Sequence, residues 1–482
     1  MRIAIVGSGF AGLGMAIRLK QAGFHDFSIF EIAASVGGTW RDNRYPGAAC
    51  DVESPLYSFS FAPNPDWSRM FAIQPEIRAY LEQCVERFGL GPHLRLNTAV
   101  TSAAFDDTAN AWHLTLSTGA RESAQILIAG TGGLARPSFP DISGLDRFKG
   151  ALFHSARWDD KAQLAGKRVA VIGTGASAIQ IVPELAKEAA HLYVFQRTAP
   201  WIIPKMDREI AMPERERFRR RPFLQRLLRT RLYWQHELLA FGFIGEPRIL
   251  KLAGLLARRT IQRRVKDPAL LAKVTPDYTL GCKRILLSND YYPALQRDNV
   301  ELVTEPIQTM TETGIKTRDG QERALDAIVL ATGFHAADVV APFKVTGIAS
   351  RDLDHTWAEG AEAYLGTSVA GFPNFFLIVG PNTGLGHSSM VFMIESQVAY
   401  ILSAVQRMQR KALARVEVRG EVQRKFNQAL HARFPRTVWN SGCVSWYRTK
   451  SGKNPTLWPS FSFDFRRRTR RFDVENYEVT AN

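Results

Sequence analysis

The 482-residue sequence has only four cysteines, Cys50, Cys84, Cys282 and Cys443, and no two of them form a C-x-x-C pair. That spacing excludes a local dithiol redox motif and a cysteine-based metal site. No disulfide framework is expected, and a reducing cytoplasmic setting fits best. Long apolar runs are also missing. The nearest, "LLAFGFIGEPRILKLAGLLA" at 238–257, is broken by Glu246, Pro247, Arg248 and Lys251, so no membrane span is expected. The opening "MRIAIVGSGFAG" turns to glycine at Gly7, too early for the apolar core of an export signal. Acidic residues are outnumbered, 46 against 62 Lys and Arg, for a net charge of +16.

The excess is local. Residues 205–273 hold 18 Lys and Arg and 7 Asp and Glu, "RRRTRR" at 466–471 adds five arginines, and the remainder is neutral. A nucleic-acid partner is one reading of such charge. The stronger ones are a solvated helical face or a field drawing in a polyanionic cofactor. Hydrophobic residues make up 45% and charged residues 22%, the balance of a globular protein long enough for two or three domains.

Glycine is what the chain has in the right places. In "RIAIVGSGFAGLGMAIRLKQAG" an apolar strand runs into Gly7, Gly9 and Gly12, followed by a helix with Met15, Ala16 and Leu19 on its apolar face. A second strand, "FSIFE", ends on Glu31, 19 residues after Gly12. Strand, G-x-G-x-x-G turn, helix, strand and terminal acid form a dinucleotide-binding unit. The glycines permit a tight turn and close approach of a pyrophosphate, and the acid accepts from a ribose hydroxyl. "KRVAVIGTGASAIQIVPELA" repeats the unit with Gly173, Gly175 and Ala178. Its second strand ends on Gln196-Arg197-Thr198 rather than an acid. An arginine there pairs with a 2′-phosphate, which predicts a preference for NADPH over NADH. "SAQILIAGTGG" (123–133) and "ALDAIVLATGF" (324–334) look like strands returning to such sheets.

The predicted fold class is therefore α/β, with two Rossmann-like, three-layer dinucleotide-binding domains, the second inserted in the first. The expected boundaries are 1–140 and 330–482 for an FAD domain and 141–329 for an NADPH domain, with 205–275 as a helical insertion. Hydride would pass from the nicotinamide to the flavin. Without a cysteine pair the reduced flavin is left with O₂ or an external acceptor.

Just before the second unit stands "FKGALFHSARWDD", residues 148–160. Phe148, Gly150, His154, Trp158 and Asp159 match every place of F-x-G-x-x-x-H-x-x-x-W-(P/D), and the stretch resembles the fingerprint of the type I Baeyer–Villiger monooxygenases. "GGTWRDNRYPGAACD", 37–51, is similar to a second pattern of that family, with Gly37, Gly38, Trp40, Tyr45, Pro46, Gly47 and Asp51 in place. The resemblance runs the length of the chain. It implies FAD and NADPH as cofactors, O₂ as co-substrate, a small-molecule ketone as substrate, and an ester or lactone formed through a flavin peroxide. An N- or S-oxygenating flavin monooxygenase and an NADPH oxidase or flavin reductase stay open beside it.

The same resemblance distributes the roles. "GCKRILLSNDYYPALQRDNVELV", 281–303, is similar to the family stretch with the catalytic arginine, which places that role on Arg284, and Asp51 matches the aspartate that holds it. In the first unit the cofactor contacts fall on Gly7, Gly9, Ala11, Gly12, Glu31, Gly38, Thr39, Trp40, Asp51, Tyr57 and Val100. In the second they fall on Gly173, Thr174, Gly175, Ser177, Arg197, Thr198 and Lys283. His154 and Trp158 are candidates for a hinge between the nucleotide domains, with plain packing the alternative. "GPNTGLGHSSMVFMIESQ", 380–397, resembles the last flavin-contacting turn and its helix, with His387 read as a hydrogen-bonding filler. "CVSWYRTKSGKNPTLWPS", 443–460, is read as a loop over the ketone, with Trp446 as a contact. No metal site is expected.

Overall fold

The computed structural model describes residues 1–335, 342–443, 445–449 and 451–481. Ten strands carry the framework: β1 (Ile3–Val6), β2 (Phe27–Phe30), β3 (Leu94–Arg95), β4 (Ile126–Ala129), β5 (Ala151–His154), β6 (Arg168–Ile172), β7 (His191–Phe195), β8 (Val300–Val303), β9 (Ala327–Leu330) and β10 (Phe375–Leu377). The helices that matter to the site are α1 (Phe10–Gln21), α2 (Ala178–Glu188), α3 (Pro222–Ile244), α4 (Pro247–Arg264), α5 (Met390–Arg410) and α6 (Ser462–Arg468).

The strands make two parallel five-stranded sheets. The first runs β10-β4-β1-β2-β3, the second β8-β7-β6-β9-β5. Strands buried on both faces read as continuous apolar runs. Thus IAIV, ILIA and AIVL are buried at every residue. The last strand of the first sheet comes from residues 375–377, so the second sheet, built from 151–330, lies within the chain of the first.

Both sheets are finished alike at their carboxyl ends. Val6 lies opposite Phe30 and Ala129, and Ile172 opposite Phe195 and Leu330. The Gly7 N–H then donates to the Phe30 carbonyl at 2.8 Å, and the Gly173 N–H to the Phe195 carbonyl at 3.0 Å. The two crevices of a doubly wound fold open here, at the carboxyl ends of the strands.

Between β7 and β8 the chain forms a hairpin of α3 and α4. A Cβ placed on Gly242 of α3 would lie 3.3 Å from the Leu250 side chain of α4, so the two helices pack closely there. Three-stranded antiparallel sheets of Val100–Asp106, Ala111–Leu116 and Arg121–Ala124, and of Ile307–Met310, Gly314–Thr317 and Glu322–Ala324, flank the two main sheets. The first is widened by Lys344–Thr346. No described helix is long and apolar enough to cross a membrane.

One expectation fails. Cys282 and Cys443 are disulfide-bonded across 161 residues of sequence, whereas Cys50 and Cys84 are free and buried. Spacing along the chain could not reveal the pair, because the fold alone brings the 278–284 segment and the C-terminal loop together, with Cα atoms 6.2 Å apart.

Candidate active site

A cavity of about 2070 Å³ connects both crevices. One small-molecule site usually takes about 300–1,000 Å³, so there is room for two extended ligands.

In the first crevice a Cβ on Gly7 (φ +99°) would meet the Gly130 carbonyl oxygen at 2.7 Å, and one on Gly12 would sit 1.8 Å from the Gly7 carbonyl oxygen. Helix α1 therefore packs hard on the turn, and no side chain caps its N-terminus at Gly9. The uncapped N–H groups suit a pyrophosphate. Gly7, Gly9, Ala11, Glu31, Gly38, Thr39, Trp40, Asp51, Tyr57 and Val100 all line the cavity, while Gly12 lies behind it in the helix–turn contact. Glu31 is buried. It accepts from Ser8 Oγ at 2.7 Å and from Arg41 at 2.8 Å, which hold its carboxylate at the end of β2.

The second crevice repeats the device. A Cβ on Gly173 (φ +114°) would meet the Ala331 carbonyl oxygen at 2.4 Å, whereas Gly175 has open space before it. No side chain caps α2 at Ser177. Gly173, Thr174, Gly175, Ser177, Arg197, Thr198 and Lys283 line the cavity. Thr174 Oγ1 donates to the Thr198 carbonyl at 3.1 Å. Lys283 sits 4.7 Å over the Tyr278 ring. Burial and the neighbouring Arg197 charge both push the Lys283 pKa down. Two cations brought together at the end of β7 suit a phosphate and repel a third cation.

Arg284 stands where the crevices meet. The chain is anchored two residues beyond it, where Leu286–Leu287 pairs with Ile202–Ile203. One guanidinium nitrogen donates to the Asp51 carboxylate, and both residues line the cavity. Asp51 lifts the Arg284 pKa above its already high ordinary value, against the effect of burial. Tyr447 lies close enough for the Arg284 charge to oppose the rise that burial causes in its pKa, which reaches about 12. Trp446 also lines the cavity; Val444 and Lys450 of the same loop lie outside the described residues. His387 lines the cavity too, but neither ring nitrogen makes a hydrogen bond to a described residue.

The fingerprint residues take another place. Phe148, Gly150, His154, Trp158 and Asp159 do not line the cavity. A Cβ on Gly150 would meet the Asp326 carbonyl oxygen at 2.5 Å, and Phe148 is buried in the second unit's core. His154 donates from Nε2 to the Gly333 carbonyl at 3.0 Å, and its Nδ1 accepts from the Ala156 N–H at 3.1 Å. Burial holds the His154 pKa below the usual imidazole range, so the ring is a neutral strut between β5 and the turn after β9. Trp158 packs edge-on against Phe153 at 5.1 Å, and its carbonyl accepts from Arg44 at 3.3 Å. Asp159 accepts from the Lys161 N–H at 2.9 Å, closing a turn. The two sequence motifs thus meet, since Arg44 belongs to the stretch 37–51.

Some residues of the site escaped the sequence reading. Gln180 of α2 accepts from Tyr45 Oη at 3.0 Å and donates to the Ala49 carbonyl at 3.0 Å, fastening the Asp51 loop to the second unit. His236 of α3 bridges the Glu53 carboxylate at 2.8 Å and the His387 carbonyl at 2.6 Å. Tyr447 carries no sequence signal that sets it apart from its neighbour Trp446. Only the Tyr-Pro-Gly motif beside Tyr45 carried a local signal.

Comparison with known proteins decides the family. The flavin-binding monooxygenase-like family model matches residues 1–236. A Baeyer–Villiger monooxygenase of Pseudomonas aeruginosa is 52% identical over 482 residues, covering 100% of this chain and 92% of that protein. The chain belongs to the Baeyer–Villiger monooxygenases. A second such enzyme, from Streptomyces coelicolor, is 48% identical over 99% of this chain and 92% of its own length. Among solved structures, a steroid monooxygenase bound to NADP superposes with a TM-score of 0.89 at 33% identity, and OTEMO in complex with FAD and NADP with 0.91 at 30%. Each covers 100% of this chain and 99% of the other. The enzyme is accordingly an FAD-containing, NADPH-dependent monooxygenase with two dinucleotide-binding domains, and its two uncapped glycine turns fit those cofactors.

Proposed function

We propose that the enzyme inserts one atom of O₂ beside the carbonyl of a ketone held at Arg284, releasing an ester or lactone. In this reading 1–140 with 330–482 holds FAD, 141–329 holds NADPH, and 205–275 is the helical insertion. Bound FAD, once reduced by NADPH, supplies the activated oxygen. Gly7, Gly9, Ala11, Glu31, Gly38, Thr39, Trp40, Tyr57 and Val100 would hold it, with Gly12 setting the helix behind them. Gly173, Thr174, Gly175 and Ser177 would hold the NADPH pyrophosphate, and Arg197, Thr198 and Lys283 its 2′-phosphate.

The observation that carries the reading is the Asp51–Arg284 pair at the junction of the crevices. Attack on a carbonyl leaves negative charge on its oxygen, and a fixed donor at that oxygen lowers the barrier. Arg284 donates in a planar fork and stays charged. Asp51 takes up one guanidinium nitrogen and so aims the others. Neither residue needs to gain or lose a proton. Trp446 and Tyr447 form the side of the ketone pocket that the C-terminal loop supplies.

The test is to incubate the purified yellow enzyme with NADPH, air and a panel of ketones, amines and sulfides. Esters or lactones one oxygen heavier than the ketone are expected. Products confined to N- or S-oxides, or hydrogen peroxide alone, would sink the reading.

A further inference from the structure

The two basic segments, 205–273 and 466–471, account for the whole net charge and are far apart in sequence. The fold puts parts of them side by side. Trp234 of α3 lies 6.2 Å from Phe463 of α6, and the Ser462 N–H donates to the Glu237 carboxylate at 3.1 Å. Arg229 and Thr230 share a second cavity, of about 650 Å³, with Arg466, Arg467 and Arg470.

The same face is apolar. On α3, Phe223, Leu227, Trp234 and Leu238 are 60%, 64%, 55% and 78% exposed. Their spacing sets them within roughly 60° of arc on the helix. On α4, Leu252 and Leu256 are 63% and 57% exposed. Single exposed leucines are ordinary, but six large apolar side chains exposed on two packed helices mark a contact surface. Arg226, Arg231, Arg248, Lys251, Arg259 and Arg263 stand exposed among these residues. Between residues 217 and 264 the acids are Glu237, which is 2% exposed and turned inward, and Glu246.

The partner must therefore be anionic and apolar at once. Nucleic acid would satisfy the arginines and leave the leucines in water. A second copy placed symmetrically on this face would set arginines against arginines. An anionic bilayer satisfies both, with phosphates for the arginines, acyl chains for the leucines and the headgroup boundary for Trp234. We propose that the α3–α4 hairpin and the arginines of α6 form a docking surface for an anionic phospholipid bilayer, on which the enzyme lies without crossing it. Leu238, Leu239, Phe241 and Ile249 line the active-site cavity as well. The mouth then faces lipid, and an apolar ketone enters without crossing water. This last consequence rests on the ketone reading; the docking does not.

Sedimentation of the FAD-loaded enzyme with phosphatidylglycerol-containing vesicles tests the proposal, with pure phosphatidylcholine vesicles as the control. Binding to the anionic vesicles only, released by salt, is expected. Arg231→Ala with Arg259→Ala should lower the partition coefficient by roughly 25-fold, about five-fold for each charge. Leu227→Ser with Leu256→Ser should lower it too. Neither pair lines the active-site cavity, so flavin content and NADPH consumption should stay as in wild type. The proposal is overturned if wild type stays in the supernatant, or if both variants bind as wild type does. It is also overturned if the protein prefers duplex DNA, or if it is a dimer that the leucine variant dissociates. Substrate is absent from this assay, so its failure and failure of ketone oxidation are separate results.

Discussion

Arg284 remains a cation at any working pH, because the Asp51 carboxylate raises its pKa further. Its removal should therefore act on one step. Arg284→Ala is expected to lower ester formation by at least about 100-fold, the loss that follows removal of one oxyanion donor. NADPH consumption should continue, with the oxygen released as hydrogen peroxide, and parallel assays of NADPH, peroxide and ester separate these quantities. Near wild-type ester yield from this variant would move the role to another cation. Arg197→Ala should raise the KM for NADPH by roughly 10- to 100-fold and leave that for NADH nearly unchanged, since only the former carries the extra phosphate. Steady-state kinetics with both nucleotides measures the split. That Gly7, Gly9, Gly173, Gly175 and Arg197 line the cavity follows from local chemical rules for a turn before a helix and the end of a strand. The role proposed for Arg284 rests on resemblance: nothing in "GCKRILL" by itself separates it from the neighbouring basic residues.

At the scale of elements, α3 is tied to the FAD side by His236. Burial alone would lower the His236 pKa, but the Glu53 carboxylate and the His387 carbonyl turn the balance upward. Folding therefore favours the protonated ring. The stabilisation is complete below the ordinary imidazole value, about 6.5, and is lost as pH rises through the higher folded value. His236→Gln should lower the melting temperature most at acidic pH, by the equivalent of about 1.5–3 kcal/mol for a charge-assisted hydrogen bond. The gap to wild type should close towards pH 9; a gap constant with pH would show that the ring acts by packing alone. No sequence signal announced this contact, because Glu53 and His236 are far apart in the chain and ordinary in type. The helical character of 205–275 was readable from its pattern. Which of its stripes faces water was not, since an apolar period marks a face without naming what covers it.

For the whole molecule, the two nucleotide sheets could be anticipated because each is announced by a strand, a glycine turn and a helix in immediate succession. The Cys282–Cys443 bond could not, and it ties the Arg284 segment to the C-terminal loop that carries Trp446 and Tyr447. Under denaturing conditions two thiols should titrate before reduction and four after it. Closing so long a loop removes denatured-state entropy worth up to about 5 kcal/mol, so reductant should lower the melting temperature of wild type and leave Cys443→Ser unaffected. The discontinuous first sheet has a further consequence, for synthesis. The second sheet has all its strands once Leu330 has been made. The first waits for β10 at 375–377, and α1 waits longer still for α5, whose Ile394 side chain would lie 3.9 Å from a Cβ on Gly14. The nucleotide unit that leaves the ribosome first is thus completed last. While residues 130–374 are being made the apolar strand β4 lacks its neighbour on one side, and this nascent edge is where aggregation would begin.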